Sequence, residues 1–566
     1  MIQERKISGR EIIGWLLICL SIGMLGRSIL LCFSQDIWYD ELFTVSMAEH
    51  SYGELVRFTA ADVHPPLYYM IVKFFADLCK LMAPGAGTVI PAKLVSTLPY
   101  LLLLLYSVTW IRKQWGIFVG GLFLFCVTAM PQLPAYTVEV RMYGWALFFV
   151  TAAFWHAQGC LMTEAAAEEG TDPAVGVESG TAIRRRRYLH GAAFLLYSLA
   201  AAYTQYFAAV AVGMVYLYLL VMFLCRDRGR LREWFCYVAI SVVGYVPWLF
   251  VLAGQISAVR ENYWILPLTW RSLGGCVKFL MKPAFANDVL NTVLAVVLAA
   301  AYAAVVGYAV LTAFVSKNRR NDKKLYHSGR QKRACGVQEN GDFSQGGADS
   351  VDYAEEVDRA VYMLAGVGVL AGLAAFGFAA SILIRPIFVY RYMIPALGCF
   401  WFSFALGIDC LLCKLKPALA LLLIVLVVVI GLRDYRAFCG EEEYKIVSMR
   451  ETETALSLIS PEDAVIYNFD QVQAVTAYYL PQSTERFLWC AGAETLIQEM
   501  TGPCGTLEEV DEIRKLAGTK DLNLWFIGSF NSRDDIVEEW RKAGLDVEEI
   551  GSFLLERYWF NLYKIS

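Results

Sequence analysis

The chain has 566 residues, of which 57% are hydrophobic and 18% are charged, and its formal net charge is −4. Soluble domains are about 45–50% apolar and about 25% charged, so this balance excludes a disordered chain and a small disulfide-stapled domain. A charge so close to neutral gives no support to a nucleic-acid partner.

Blocks of apolar residues run through most of the chain, and several approach the ~20 residues that cross a bilayer. They predict a polytopic α-helical membrane protein with about eleven transmembrane helices, at residues 12–33, 94–111, 116–135, 142–162, 190–204, 206–225, 234–254, 289–315, 361–384, 392–412 and 417–432. Segment 66–82 is shorter and carries Lys73, Asp77 and Lys80, so we interpret it as an interfacial helix.

The distribution of basic residues predicts the orientation. With a cytoplasmic N-terminus and 66–82 in the interface, the predicted inner segments carry more than twice as many Lys and Arg residues as the outer ones, in line with the positive-inside rule. If 66–82 crossed the bilayer, the run Arg184–Arg187 would have to be translocated. We therefore expect a multi-pass protein of the cell membrane, with a membrane domain over residues 1–432.

Three further segments complete the predicted organisation. Two cytoplasmic segments, 163–189 and 316–360, are polar and poor in apolar residues, which is typical of disorder. Residues 433–566 alternate β-rich runs with polar helical stretches and predict a soluble, extracytoplasmic α/β domain. The predicted strands are 464–469, 486–489, 523–528 and 557–565, and the predicted helices are 441–459, 507–517 and 534–543. That domain contains three cysteines, so at most one disulfide can form within it, and the spacing selects no pair: Cys439, Cys490 and Cys504.

The first outer segment, 34–93, contains adjacent carboxylates at Asp40 and Glu41, directly after the first span. On residue types alone, two interpretations are open: the acids solvate the start of a loop, or they transfer protons. The same segment holds His64, for which a structural hydrogen bond and a catalytic role are equally compatible with the sequence.

Arginines lie at the outer ends of other predicted spans, at Arg141, Arg385 and Arg391. Each one alone is compatible with a residue that reaches from the helix end into the interface. The predicted topology places all three on the same side as the carboxylates. Because Arg binds phosphate through two parallel hydrogen bonds, this arrangement suits a site for a lipid-linked phosphate.

Four motifs in this order carry a family resemblance: the acid pair at 40–41, H-P-P-L-Y-Y at 64–69, E-x-R-M-Y at 139–143 and R-Y-x-x-P at 391–395. Over residues 1–432 the chain resembles the polyprenyl-phosphate-sugar-dependent glycosyltransferases of GT-C fold. The nearest groups are the bacterial relatives of protein O-mannosyltransferases and the lipid A aminoarabinose transferases.

The resemblance implies an inverting transfer of a sugar from a polyprenyl-phosphate donor to a hydroxyl of a protein, a lipid or a cell-envelope glycan, at the outer face of the membrane. It also implies that Asp40 is the general base and that Glu41 helps to position substrate. An attacking hydroxyl needs a base, and the departing lipid phosphate needs stabilisation. The predicted substrate and phosphate-binding residues are His64, Arg141, Tyr143, Arg391, Arg385 and Lys278.

Two other functions and one cofactor stay open at this level. A transporter or lipid flippase usually carries ionisable residues at mid-membrane in broken helices, whereas the charges here lie mostly at helix ends. A structural receptor would leave the grouped outer charges unexplained. No metal ligand set is predicted, but some GT-C enzymes use a divalent cation held by several acids, and Asp62 and Glu139 are more remote acids on the same side.

Overall fold

The computed structural model describes residues 8–161, 180–258, 265–331, 345–414, 417–518 and 522–566. Over these residues the chain is mostly helical and ends in a six-stranded sheet with helices around it, which confirms the predicted fold class. The chain divides into two compact units. The first, called here the membrane unit, comprises Met1–Leu25, Pro99–Pro134 and Met142–Tyr435, and the second, the sheet unit, comprises Gly26–Leu98, Ala135–Arg141 and Arg436–Ser566.

Sixteen of the described α-helices precede the sheet. They are α1 (Gly9–Leu31), α2 (Tyr39–Glu49), α3 (Tyr52–Ala61), α4 (Leu67–Met82), α5 (Val89–Tyr106), α6 (Arg112–Trp115), α7 (Ile117–Ala129), α8 (Tyr143–Cys160), α9 (Gly180–Thr204), α10 (Tyr206–Arg226), α11 (Leu231–Ala258), α12 (Trp270–Met281), α13 (Asp288–Gln331), α14 (Gln345–Leu383), α15 (Ile394–Lys414) and α16 (Pro417–Leu456). Single 3₁₀ turns lie at Pro134–Thr137, Arg228–Arg230 and Tyr390–Met393, and a π-helical turn, Ser107–Ile111, joins α5 to α6.

Within the described residues, eight helices are long and apolar enough to cross a membrane. The other three predicted spans coincide with α7, α8 and α9; α7 is apolar but has only 13 residues. Segment 66–82 forms α4, whose buried face includes Tyr68, Tyr69 and Val72 while Phe74 and Leu81 are exposed. The chain is therefore a multi-pass membrane protein.

Several helices extend beyond their predicted ends. The predicted span 417–432 and the predicted helix 441–459 belong to one helix, α16, because no proline interrupts the polar residues that follow the apolar run. Parts of the two segments predicted to be disordered are also helical: α9 begins at Gly180, and α13 continues to Gln331. Arg and Lys are good helix formers, so they prolong these helices past the apolar residues. Residues 162–179 and 332–344 lie outside the described part of the chain.

The first outer segment is also more helical than expected. Asp40 and Glu41 lie in the first turn of α2, where carboxylates interact favourably with the helix dipole. Ser51 and Glu54 form a capping box that starts α3. This S-x-x-E pattern is readable in the sequence and identifies the break between the two helices.

The sheet has the strand order β3-β2-β1-β4-β6-β5. Its strands are β1 (Ala464–Tyr467), β2 (Glu485–Trp489), β3 (Gly505–Leu507), β4 (Leu524–Ser529), β5 (Val547–Leu555) and β6 (Tyr558–Ile565), and its helices are α17 (Asp470–Ala477), α18 (Thr495–Thr501), α19 (Val510–Ala517) and α20 (Ser532–Lys542). Strands β1 to β4 are parallel, and β6 runs antiparallel to both β4 and β5. The sequence patterns predicted four of these strands but not the short β3 or β5.

Trp540 of α20 lies at the centre of the sheet's hydrophobic core, where it is fully buried against Trp489 and Phe526. Helices α17 and α18 pack against α2 within the sheet unit. The hydroxyl of Tyr479, just after α17, accepts from the Ile37 N–H at 3.1 Å and donates to the Gln35 carbonyl at 2.8 Å. The sheet and its helices, residues 464–566 and called here the sheet domain, are therefore attached directly to the segment that carries the acid pair.

Candidate active site

Asp40 is the accessible carboxylate of the acid pair. Its side chain is 22% exposed, whereas Glu41 is 3% exposed and Asp36, four residues before Asp40 and outside α2, is 1% exposed. The difference follows from α2, because adjacent residues in a helix point in directions about 100° apart. Among these three acids, Asp40 has the carboxylate that solvent reaches most readily.

Arg141 holds Asp40 in place. The Arg141 Nη1 donates to the Asp40 backbone oxygen at 3.0 Å, and Nη2 lies 3.5 Å from the Asp40 carboxylate. Nη2 also donates to His64 Nε2 at 3.4 Å, so that nitrogen is the unprotonated one of the imidazole. The Arg141 side chain is only 5% exposed. The structure thus brings Asp40, His64 and Arg141 together.

Segment 135–141, which carries Arg141, is fixed by hydroxyl groups of neighbouring helices. Thr97 of α5 donates to the Thr137 carbonyl at 2.8 Å, and Thr44 of α2 donates to the Val140 carbonyl at 3.2 Å. The Thr137 hydroxyl in turn donates to that of Ser28 at 2.9 Å. These buried bonds give the Arg141 guanidinium a defined position relative to α2.

Glu41 joins α2 to the same segment. Its Oε2 accepts from the Trp38 N–H at 3.1 Å, and its Oε1 accepts from the Val140 N–H at 2.7 Å. Burial raises the pKa of Glu41 to about 8, although the Lys93 charge and the Val140 N–H oppose that rise. Glu41 is thus a buried carboxyl whose two oxygens both accept hydrogen bonds from backbone N–H groups.

Two further acids lie close to Asp40. Loss of hydration on burial raises the pKa of Asp62 to about 6, while the hydrogen bond from the Val63 N–H and the charge of Arg141 act in the opposite direction. Burial also raises the pKa of Glu139, and the positive charges of Arg557 and Arg141 oppose it. The acids predicted as remote neighbours of Asp40 therefore share its electrostatic environment.

Sequence reasoning missed a buried ion pair beneath this cluster. Lys93 Nζ lies 3.1 Å from the Asp36 carboxylate and donates to the Ser34 hydroxyl at 2.6 Å. Burial by itself would raise the pKa of Asp36, but the charge of the nearby Lys93 holds it below its usual value. The signal for this pair is a lysine at the start of an apolar span, where a charge needs a partner.

The second missed group belongs to the sheet domain. Arg557, in the turn between β5 and β6, places its guanidinium over the Trp38 ring at 3.9 Å, and its Nη2 lies 3.8 Å from Glu139 Oε2. The preceding Glu556 pairs with Lys445 of α16 at 3.0 Å. No local pattern in the sequence indicates that residue 557 meets residue 38.

In the membrane unit, the structure brings Arg391 and Tyr143 together. The Arg391 guanidinium lies over the Tyr143 ring at 5.9 Å, at the start of α8. The neighbouring Tyr392 stacks on Phe207 of α10, with ring centroids 4.6 Å apart. Arg391 therefore lies beside an aromatic ring, whose face attracts a guanidinium.

Two weaker predicted residues also belong to the membrane unit. Lys278 is exposed on α12, which packs against the Tyr390–Met393 turn through Phe279 and Tyr390, with ring centroids 6.3 Å apart. Arg385 lies between α14 and that turn, half-buried, and its N–H donates to the Ala380 carbonyl. The structure thus places the helix of Lys278 beside the turn that carries Arg391.

The donor set for a metal can be assessed over the described residues alone. Among them, no group of three or more His, Cys, Asp and Glu side chains has the spacing to hold a metal ion. None of the thirteen described cysteines, which include Cys439, Cys490 and Cys504, forms a disulfide.

Comparisons with known proteins give distant similarities. No protein-family model and no curated protein matches the sequence. Among solved structures, the chain is similar to ArnT from Cupriavidus metallidurans in the apo state (TM-score 0.41, 13% identity) and bound to undecaprenyl phosphate (TM-score 0.41, 14% identity), with 98% of both chains covered in each case. It is also similar to the Archaeoglobus fulgidus oligosaccharyltransferase complex with Zn and sulfate (TM-score 0.38, 11% identity, 90% of this chain and 68% of that chain).

Proposed function

We propose that this protein is an integral membrane glycosyltransferase that moves a sugar from a polyprenyl-phosphate donor to a hydroxyl acceptor at the outer face of the membrane. The observation that carries this proposal is the partly exposed Asp40 carboxylate, which Arg141 holds in place. The neighbouring Glu41, in contrast, is buried and both of its oxygens accept hydrogen bonds. The order of the four sequence motifs supports the same function.

In the proposed reaction, the acceptor hydroxyl attacks the anomeric carbon of the donor and its proton passes to the Asp40 carboxylate. The bond between the anomeric carbon and the phosphate oxygen breaks, and the electron pair leaves on that oxygen. A single displacement of this kind inverts the anomeric configuration. General-base catalysis contributes about 10²–10⁴ to the rate of such a step.

The charges around Asp40 suit this chemistry. Arg141 keeps the carboxylate oriented and supplies positive charge for the developing phosphate anion. His64 accepts a hydrogen bond from Arg141, and we assign it to contact with the sugar or the phosphate. For the membrane unit, we propose from its own geometry that Arg391, supported by Tyr143, binds phosphate, with Arg385 and Lys278 as secondary contacts.

The test compares cells that express the wild-type protein, the Asp40→Asn variant, or neither. Mass spectrometry of cell-envelope glycans and glycoproteins should show a sugar modification that only the wild-type protein produces. In parallel, the purified wild-type protein in nanodiscs should bind undecaprenyl phosphate. If Asp40→Asn produces the same sugar modification as the wild-type protein, to the same extent, the assignment of the base is rejected.

A second experiment, with the protein in proteoliposomes, separates this function from transport. A flippase would move undecaprenyl-phosphate-linked sugar across a proteoliposome membrane without consuming it, and Asp40→Asn would then affect translocation instead of product formation. Release of undecaprenyl phosphate with formation of a glycosylated acceptor is the outcome that the proposal requires.

A further inference from the structure

The turn between β5 and β6 places Arg557 near Glu139, one of the acids that lie close to Asp40. The turn has two residues, Glu556 and Arg557, between the paired Leu555 and Tyr558. Strand β6 is antiparallel to β4, with Phe560 opposite Ser529, so the turn lies at the carboxyl end of β4. That edge also contains the carboxyl end of β1, and the strand order reverses between these two strands. Ligands of α/β sheets bind at such a reversal point.

Backbone strain is concentrated at this edge. Three non-glycine residues of the described sheet domain have positive φ angles: Cys490 (52°) after β2, Phe530 (59°) after β4 and Glu556 (54°) after β5. These angles lie in the left-handed region, which non-glycine residues keep only where the surroundings hold them. For Glu556 the holding contact is the buried ion pair with Lys445 at 3.0 Å. The turn that presents Arg557 is therefore fixed.

Arg557 is positioned yet available. Its guanidinium lies on the face of Trp38, whose backbone carbonyl begins α2, two residues before Asp40. Its distances to carboxylate oxygens of Glu139 and Glu556, 3.8 Å and 3.4 Å, are longer than those of a close bidentate pair. The side chain is 48% exposed, whereas Arg141 in the same unit is 5% exposed. Arg557 is thus the more accessible guanidinium beside the Asp40 cluster.

We propose that Arg557 binds the lipid-linked phosphate of the donor, so that the C-terminal sheet domain contributes a residue to the active site. This inference rests on the proposed function. The face of Trp38 holds the guanidinium by a cation–π contact and leaves its N–H groups to an anion. Arg141 then orients the base, and the positive charge of Arg557 stabilises the negative charge that develops on the departing phosphate. A phosphate carried by a soluble acceptor has the same chemistry, and the experiment separates the two sources.

The experiment measures binding of undecaprenyl phosphate to the full-length protein in nanodiscs by native mass spectrometry. We expect Arg557→Ala to weaken binding by about tenfold or more, as the loss of a charge-assisted hydrogen bond does, and Arg557→Lys to recover part of the loss. Binding of undecaprenol, which has no phosphate, should be the same in all variants. Arg514→Ala is the matched control, because Arg514 of α19 is 49% exposed in the same domain.

Each outcome decides between alternatives. If wild type binds undecaprenyl phosphate and Arg557→Ala binds it equally well, this inference fails and the proposed function stands. If wild type does not bind the lipid, both fail. Equal weakening of undecaprenol binding would show that the turn is only structural. If inorganic phosphate protects the protein against thermal unfolding through Arg557 while lipid binding is unchanged, the site takes a soluble phosphate and the lipid assignment is overturned.

Discussion

Arg141 donates to the backbone oxygen of Asp40 at 3.0 Å and holds its second nitrogen 3.5 Å from the same residue's carboxylate. The two residues are 101 positions apart in the chain. One guanidinium thus fixes both the backbone and the side chain of the proposed base. The acid is oriented without being sealed from solvent, which is the arrangement that proton transfer from an incoming hydroxyl requires.

Asp40→Asn should reduce sugar transfer by about 10²–10⁴-fold, because an amide cannot accept the acceptor's proton. The substitution keeps the shape of the side chain, so expression and thermal stability should stay close to wild type. The measurement is product formation by purified protein, with Asp77→Asn of α4 as the matched control. A loss of folding equal to the loss of turnover would instead assign Asp40 a structural role.

Arg141→Ala and Arg391→Ala should both weaken donor binding far more than acceptor binding, since each removes a guanidinium proposed to contact phosphate. For Arg141→Ala we also expect kcat to fall, because Asp40 loses its orienting contacts. Steady-state kinetics with varied donor and acceptor distinguish the two effects. Arg57→Ala on α3, which is 61% exposed, serves as the control. Unchanged donor affinity in either variant would contradict the phosphate assignment for that residue.

Glu41 should lower the stability of the protein as pH rises from about 4.5 to about 8. Burial raises the pKa of Glu41 to about 8 from its usual 4.5, so over this window the folded state keeps a proton that the unfolded state has lost. The raised pKa of Asp62, about 6, acts in the same direction. Thermal unfolding in detergent should therefore show a weaker pH dependence for Glu41→Gln than for wild type. Parallel curves would exclude Glu41 as a source of the effect.

Breaking the buried pair of Asp36 and Lys93 should be costly. Lys93→Met leaves an uncompensated carboxylate in a site where both partners are at most 2% exposed, and such losses destabilise proteins by about 3–5 kcal/mol. The double variant Asp36→Leu with Lys93→Met should recover most of that stability. Chemical denaturation of the three proteins provides the comparison. A double variant less stable than Lys93→Met would show that the two residues do not act as a pair.

Cys490 offers a native reporter of topology, because its thiol is exposed in the sheet domain. If that domain is extracytoplasmic, a membrane-impermeant maleimide should label Cys490 in intact cells, and Cys490→Ser should lose that label. A Gln345→Cys variant should gain a label only after permeabilisation, since the sequence predicts residue 345 on the cytoplasmic side. The reverse pattern would invert the predicted orientation.

The membrane class, the placement of most spans and the α/β character of the tail could all be predicted from the amino-acid sequence. Each of these depends on the length and periodicity of apolar residues, which are local properties of the chain. The sequence also selected Asp40, His64 and Arg141 as candidates, because charged groups at helix ends stand out against an apolar background.

The burial and the interaction partners of those groups could be seen only in the folded structure. It showed that Glu41 is buried with both oxygens occupied, that Asp36 pairs with Lys93, and that Arg557 stacks on Trp38. Residues 38 and 557 lie at opposite ends of the sequence, and their contact depends on how the β5–β6 turn packs in the folded unit. No local pattern encodes such a contact, because packing between distant segments depends on the shapes of all the side chains between them.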